Sequence, residues 1–325
     1  MNNKDSLMGE VIKKDYLLPI SFLISSLVVA GAWIYTSGLE VTNNEQIINK
    51  ISEVEEISVL EGEVLPSTGV TLPVVWGDIG SQLVSSGAID ANKFRSIYEG
   101  RGGFTQEYEE LLSGNSKNQL KITKENSGYL LNLLWALGLA NKNPILDFGE
   151  VVDPKYGGAE NFASTGGWVI AQGNPMNHYS KHSFLELTTE QQGLVDKISK
   201  GIYRPCCNNS THFPDCNHGM AMLGFLELMA SQGIGEKEMW QAALAVNSYW
   251  FPDTYLTIAT YMKDQGVDWQ DVNPEEILGA NYSSISGYKA VASRVSQPTQ
   301  SSGGGGCGVD AGVPAPKRQT GGCGI

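Results

Sequence analysis

A chain of 325 residues with 41% hydrophobic content is long enough to bury one substantial core, which excludes a wholly disordered protein. A formal charge of -13, from 35 acids against 22 bases, speaks against nucleic acid as a partner. A polyanion is held by Lys/Arg clusters that displace its counterions, and no such cluster appears.

Residues 1–15 are polar, with acids and bases in equal number. Tyr16 to Tyr35 is then apolar apart from Ser21, Ser25 and Ser26. At about 1.5 Å per residue a helix of that length matches a hydrocarbon core of about 30 Å. The sequence therefore predicts a transmembrane anchor over 16–36, or a signal segment cut after Ala30-Gly31-Ala32. Lys13 and Lys14 precede it and Glu40 and Glu45 follow it, so the positive-inside bias places the body on the extracytoplasmic side. Residues 37–71 read as a stalk and linker. Ile47, Ile48, Ile51, Val54 and Ile57 fall at helical spacing. Leu65-Pro66-Ser67-Thr68-Gly69 matches a cell-wall sorting pentapeptide but lacks the C-terminal apolar tail that signal needs, so it is read as a Pro/Gly connection.

The body is expected over 72–295, as a single irregular helical domain, mainly α, outside the membrane. Short helices are predicted after Asp78 (Ile79, Leu83, Val84), from Ile89-Asp90 (Phe94, Ile97, Tyr98) and over Phe104 to Leu112. Gly128 to Leu139 is apolar nearly all round, the pattern of a central helix. Asn141 to Pro175 has no periodicity, with only Trp168-Val169-Ile170 resembling a brief strand, and is either a functional loop or a surface excursion. Thr188 to Gln191 opens a further helix. Asp215 is expected to cap the next, ended near Gly233. Helices over 236–248, 253–263, 274–278 and 283–295 complete the series.

All four histidines (His178, His182, His212, His218) and three of the five cysteines (Cys206, Cys207, Cys216) lie between Asn177 and Met222. Thiolate and imidazole out-compete water for soft and borderline ions, so this segment predicts a site for Zn, Cu or Fe, serving metal handling or a redox centre. His178 and His182 would share a face across one helical turn. Cys216 and His218 would stand at a helix N-terminus, whose amides favour a thiolate. The spacing matches no standard zinc-finger pattern.

Two other readings use the same residues. Cys216 at a helix start would suit a Cys-dependent hydrolase or a thiol-disulfide exchange protein, with His178, His182 or His212 folded back as base. Alternatively, Cys206 or Cys207 bonded to Cys216 would staple a loop on a non-enzymatic scaffold that offers a face to a protein partner. Vicinal Cys206 and Cys207 are poorly placed to bond to each other. Residues 296–325 form a Gly-rich tail with Cys307 and Cys323, of a composition that cannot offset its ordering entropy.

Overall fold

The computed structural model describes residues 27–29, 32, 56–99 and 103–295. The chain divides into two compact units between Ser58 and Val59. In the first, residues 27–29 are helical and their side chains exposed. The rest of the 16–36 segment apart from Ala32, the stalk to residue 55 and the tail from 296 lie outside the described residues. Among the described residues no helix is long and apolar enough to cross a membrane.

The second unit uses part of what the sequence assigns to the linker. Its first residues, 59–64, are helical (α1), and Leu60, Val64 and Leu65 are buried in the core. Leu60 and Val64 are four residues apart and so share one helical face. Ordered packing thus begins before residue 72.

Strand β1 (Val70–Gly77) pairs antiparallel with β2 (Ser116–Ile122), with Val70 opposite Ile122 and Gly77 opposite Ser116. The expectation of helices alone misses this ribbon. Leu72, Val74 and Trp76 alternate inward, the period of a half-buried strand. Pro73 hides the pattern, and it sits where the register shifts between Thr71 and Val75. Proline donates no ladder hydrogen bond, so a two-stranded edge with an irregularity tolerates it.

Short helices α2 (Ile79–Ser85), α3 (Ala91–Glu99) and α4 (Gln106–Ser113) follow the predicted positions within a few residues. Helix α5 (Ser127–Ala140) is buried almost throughout, as its all-round apolar pattern requires. Its main partner is α8 (Asn217–Ser231). The two backbones touch where glycine faces glycine. A Cβ on Gly138 would stand 2.0 Å from Met220 O, and one on Gly224 2.5 Å from Leu134 O. Gly224→Ala should therefore force the helices apart and cost about 2–3 kcal/mol, read as a lower midpoint in urea with unchanged slope. A neutral result would mean that the crossing tolerates a side chain.

The stretch after α5 is neither a surface excursion nor a strand. It contains α6 (Pro144–Phe148) and several single 3-10 turns, and Trp168-Val169-Ile170 lies in turns. Trp168 is fully buried, 4.8 Å from the Trp135 ring, and its Nε1 donates to Ala88 O at 2.8 Å. Trp135 Nε1 donates to Ser164 O at 2.6 Å. Indole rings thus hold irregular backbone against the central helix while satisfying their own N–H groups.

Helix α7 (Thr189–Gly201) starts where the sequence predicts, and Thr188 with Gln191 forms a capping box there. Helix α9 (Glu236–Trp250) then packs on α8, and α10 (Pro252–Asp264) packs on α9, followed by α11 (Pro274–Leu278), α12 (Ala280–Ser283) and α13 (Ile285–Ala292). The single helix expected over 283–295 is broken at Ser284. That residue is extended and its hydroxyl accepts from Gly287 N at 2.9 Å, so it ends one helix and caps the next.

Candidate metal centre

The loop from Ile202 to Cys216 joins α7 to α8 and carries the chemistry. Tyr203 and Ser210 bridge antiparallel at its neck. Thr211 N donates to Ile202 O, His212 N to Ser199 O and Ile285 N to Cys207 O. Ser164 N donates to Asp215 O, and Tyr156 and Phe162 pack on Phe213. The irregular segment after α5 therefore walls one side of this loop.

Arg204 is the centre of the loop, and the sequence argument assigns it no role. Its side chain is 1% exposed. Nε donates to Cys216 Sγ at 3.0 Å, Nη1 to Asn209 O at 3.1 Å, and Nη2 to Phe213 O at 3.1 Å and to the Asp215 carboxylate. Asn209 Nδ2 donates to the other Asp215 oxygen at 2.9 Å. One planar guanidinium thus gathers a loop that has almost no regular hydrogen bonding of its own. Gly219, in the first turn of α8, makes room: a Cβ there would lie 2.5 Å from Arg204 Cζ. Asp215 is consequently not the helix cap that its position suggests. Cys216 is the residue at the N-cap, without a capping side-chain bond.

Around Arg204 the thiols converge. Cys206 Sγ lies 3.5 Å from Cys216 Sγ, and Cys207 Sγ lies 3.8 Å from Asp215 Oδ1. Two overlapping trios, Cys206/Cys216/His218 and Cys207/Asp215/Cys216, each hold their donor atoms within 4.8 Å of one another. A tetrahedral ion with metal–sulfur bonds of about 2.3 Å spaces its sulfurs by about 3.8 Å, close to the Cys206–Cys216 separation. A group of Cys, His and Asp side chains that can hold a metal ion is therefore present. Cys206, Cys207 and Cys216 are free thiols, so the disulfide staple is not formed.

The electrostatics single out one sulfur. Burial alone would push the Cys216 thiol up. Hydrogen bonds from Cys206 and Cys207, the Arg204 charge and His218 together hold it well below the ordinary thiol range. Cys206 moves the other way, through its hydrogen bonds to Cys207 and Cys216 and through burial, and Cys207 is pushed up to about 12. Asp215 is raised by burial despite Arg204, with the negative Cys216 sulfur adding to the shift. Cys216 is thus the one thiol of the three whose proton its surroundings loosen, while those of Cys206 and Cys207 are held more tightly. It is also wholly buried, which denies a substrate the access that a nucleophilic cysteine requires.

His218 is 4% exposed, its ring 4.4 Å from Phe251 and 5.8 Å from Trp250. Its Nδ1 has no hydrogen-bond partner, which is unusual for a buried imidazole. The other three histidines join neither trio. His178 Nδ1 and His182 Nε2 face each other at 3.2 Å, and His178 Nε2 meets Gln172 O at 3.0 Å. They approach through a tight turn with Ser180 at φ 51, not through a helix. Burial and the His178 ring hold His182 below the ordinary imidazole range. His212 Nε2 pairs with Asp196 Oδ1 at 2.8 Å.

A second buried ionisable group lies on the same helix as Cys216. Glu227 is fully buried and accepts from Asn141 Nδ2 at 2.8 Å and Asn143 Nδ2 at 2.5 Å. Burial outweighs these donors and pushes its carboxyl up to about 8. The folded state therefore binds this proton more tightly than the unfolded one. The resulting stability is complete below the ordinary carboxyl range and is lost as pH rises through about 8. Cys216 acts in the opposite sense, since its lowered value adds stability as pH rises. The difference between wild type and Glu227→Gln isolates the first effect. The variant should lack a fall of about 4 kcal/mol between pH 5 and 9, measured by denaturant titration across that range. Parallel profiles would refute the assignment.

No protein-family model, curated protein or solved structure matches this chain.

Proposed function

We propose that this protein binds one thiophilic transition metal ion at a closed centre made by Cys206, Cys207, Cys216 and His218, for metal handling or as a redox centre. The observation that carries the reading is the convergence of the Cys206 and Cys216 sulfurs with a buried histidine whose Nδ1 is unpartnered. Burying such a nitrogen without a partner costs free energy that a ligand would recover. Cys207 is taken as the fourth donor in preference to Asp215, because the carboxylate is already engaged by Arg204 and Asn209. Cys207 Sγ lies 3.8 Å from Asn209 O and from Asp215 Oδ1 and also reaches the Cys206 and Cys216 thiols.

Three cysteines and one histidine form a standard structural zinc set. Three thiolates and a divalent ion leave one negative charge, which the Arg204 guanidinium offsets. An N–H donor to a ligating sulfur is compatible with coordination and tunes the site. The apolar sequence 16–36 supports a body held at a membrane on the extracytoplasmic side. His178, His182 and His212 are left out of the centre because each already has another partner.

The test is elemental analysis of the full chain purified without chelator, with thiols counted on the same sample. About one equivalent of Zn, Cu or Fe per chain is expected, falling to background in His218→Ala and in Cys216→Ala. Absorption of a cobalt-substituted sample in the thiolate charge-transfer region should report sulfur ligation. Metal at background in wild type, after reduction and reloading, would refute the reading.

A further inference from the structure

We infer that the centre is opened by thiol oxidation, with Cys206 as the entry point and a Cys206–Cys216 disulfide as the product that releases the ion. This inference rests on the metal-binding reading above. Its basis is an asymmetry between two sulfurs 3.5 Å apart. Cys216 is wholly buried at the start of α8, whereas Cys206 is partly exposed beside the exposed Asn208. A reagent in solution meets Cys206 first.

The distance to be closed is small. A disulfide needs sulfurs at about 2.05 Å, so the pair must approach by roughly 1.5 Å. Cys206 sits on a turn rather than in a helix or strand, where such a shift meets least resistance. Cys207 is not an equivalent partner for Cys206: it is adjacent in sequence, and vicinal bonding strains the intervening peptide. Cys207 Sγ also lies 3.8 Å from Asn209 O and from Asp215 Oδ1.

The oxidant is a low-molecular-weight disulfide, and the balance closes without protons. The Cys206 thiolate attacks one sulfur of the reagent, forming a mixed disulfide and releasing one thiolate. The Cys216 thiolate then attacks the Cys206 sulfur, forming the internal disulfide and releasing the second thiolate. Two electrons pass from the two cysteines to the reagent. Both sulfurs lose their anionic character as donors, and the divalent ion, left with Cys207 and His218, departs. A dithiol reductant reverses each step.

The experiment loads the full chain with zinc alone and then adds oxidised glutathione. Zinc release is read with a chromophoric indicator and linkages by peptide mass mapping. Release of about one zinc per Cys206–Cys216 disulfide formed is expected, with early glutathione adducts on Cys206 and rebinding after dithiothreitol. A Cys307→Ser/Cys323→Ser chain should behave identically. Zinc retained with no Cys206–Cys216 linkage, zinc lost without that linkage, or a linkage to Cys207 would each overturn the inference while leaving the metal reading intact. A chain that takes up no zinc at the loading step sinks the metal reading itself, and this inference falls with it.

Discussion

Arg204→Met should be the most damaging single substitution in the body, costing about 3–5 kcal/mol of the folding free energy. It removes the cation that faces the Asp215 carboxylate and the Cys216 sulfur, and it takes one donor from each of the carbonyls of Asn209 and Phe213, which keep Cys207 Sγ and Asp215 N. The main cost is the buried Asp215 carboxylate left without its cation. Against a total stability of about 5–15 kcal/mol for an ordinary domain, this brings the fold near its limit. Arg204→Lys should rescue little, since one ammonium cannot reach four acceptors spread around a planar fork. Arg204→Met/Asp215→Leu should cost less than Arg204→Met alone, because removing both charges leaves neither stranded. Denaturant midpoints of the three variants decide it. A single variant within about 0.5 kcal/mol of wild type would mean that Arg204 is not the organiser of the loop.

The second large effect is that of the ion. A ligand that binds only the folded state at a thousandfold over its dissociation constant adds about 4 kcal/mol. For a body of this size each kcal/mol moves the melting point by about 2–4 °C, so zinc loading should raise it by about 10 °C over the chelated chain. The loop from Ile202 to Cys216 should respond most, because among its backbone groups few hydrogen bonds belong to regular structure. Hydrogen exchange should therefore slow there and hardly at all in α5. Cys216→Ala and His218→Ala should abolish the shift, whereas His212→Ala should preserve it. Identical melting with and without chelator would contradict a centre of this kind.

Much of the fold is legible in the sequence because helices announce themselves locally. The apolar run of α5, the capping box at Thr188 and the periodic faces of α3 and α9 each lie within one element, so spacing alone reveals them. The strand ribbon is not legible in the same way. Ser116–Ile122 is polar at most positions, and it becomes a strand only because Val70–Gly77 offers it a ladder from some forty residues upstream. Trp168-Val169-Ile170 shows the converse, since β-type residues make no strand where no partner strand lies beside them.

The candidate site divides along the same line. Concentration of Cys and His between Asn177 and Met222 is a property of the sequence, and it points to the loop where three thiols converge. Which of these residues meet is a property of the packing. Arg204 gives no spacing signal, yet its burial assembles the thiols, and the only mark of it in the sequence is a strong base among cysteines in an acidic chain. Glu227 leaves a similar trace, one acid inside the apolar helix α8. His178, His182 and His212 have the same composition-level credentials as His218, but their partners are Gln172, each other and Asp196. By itself the sequence determines the helical class, the position of the central helices and the kind of chemistry available, because those depend on neighbours a few residues away. Only the tertiary structure decides which donors converge and which thiol is held below the ordinary range, because both depend on a guanidinium buried where α7, α8 and the intervening loop meet.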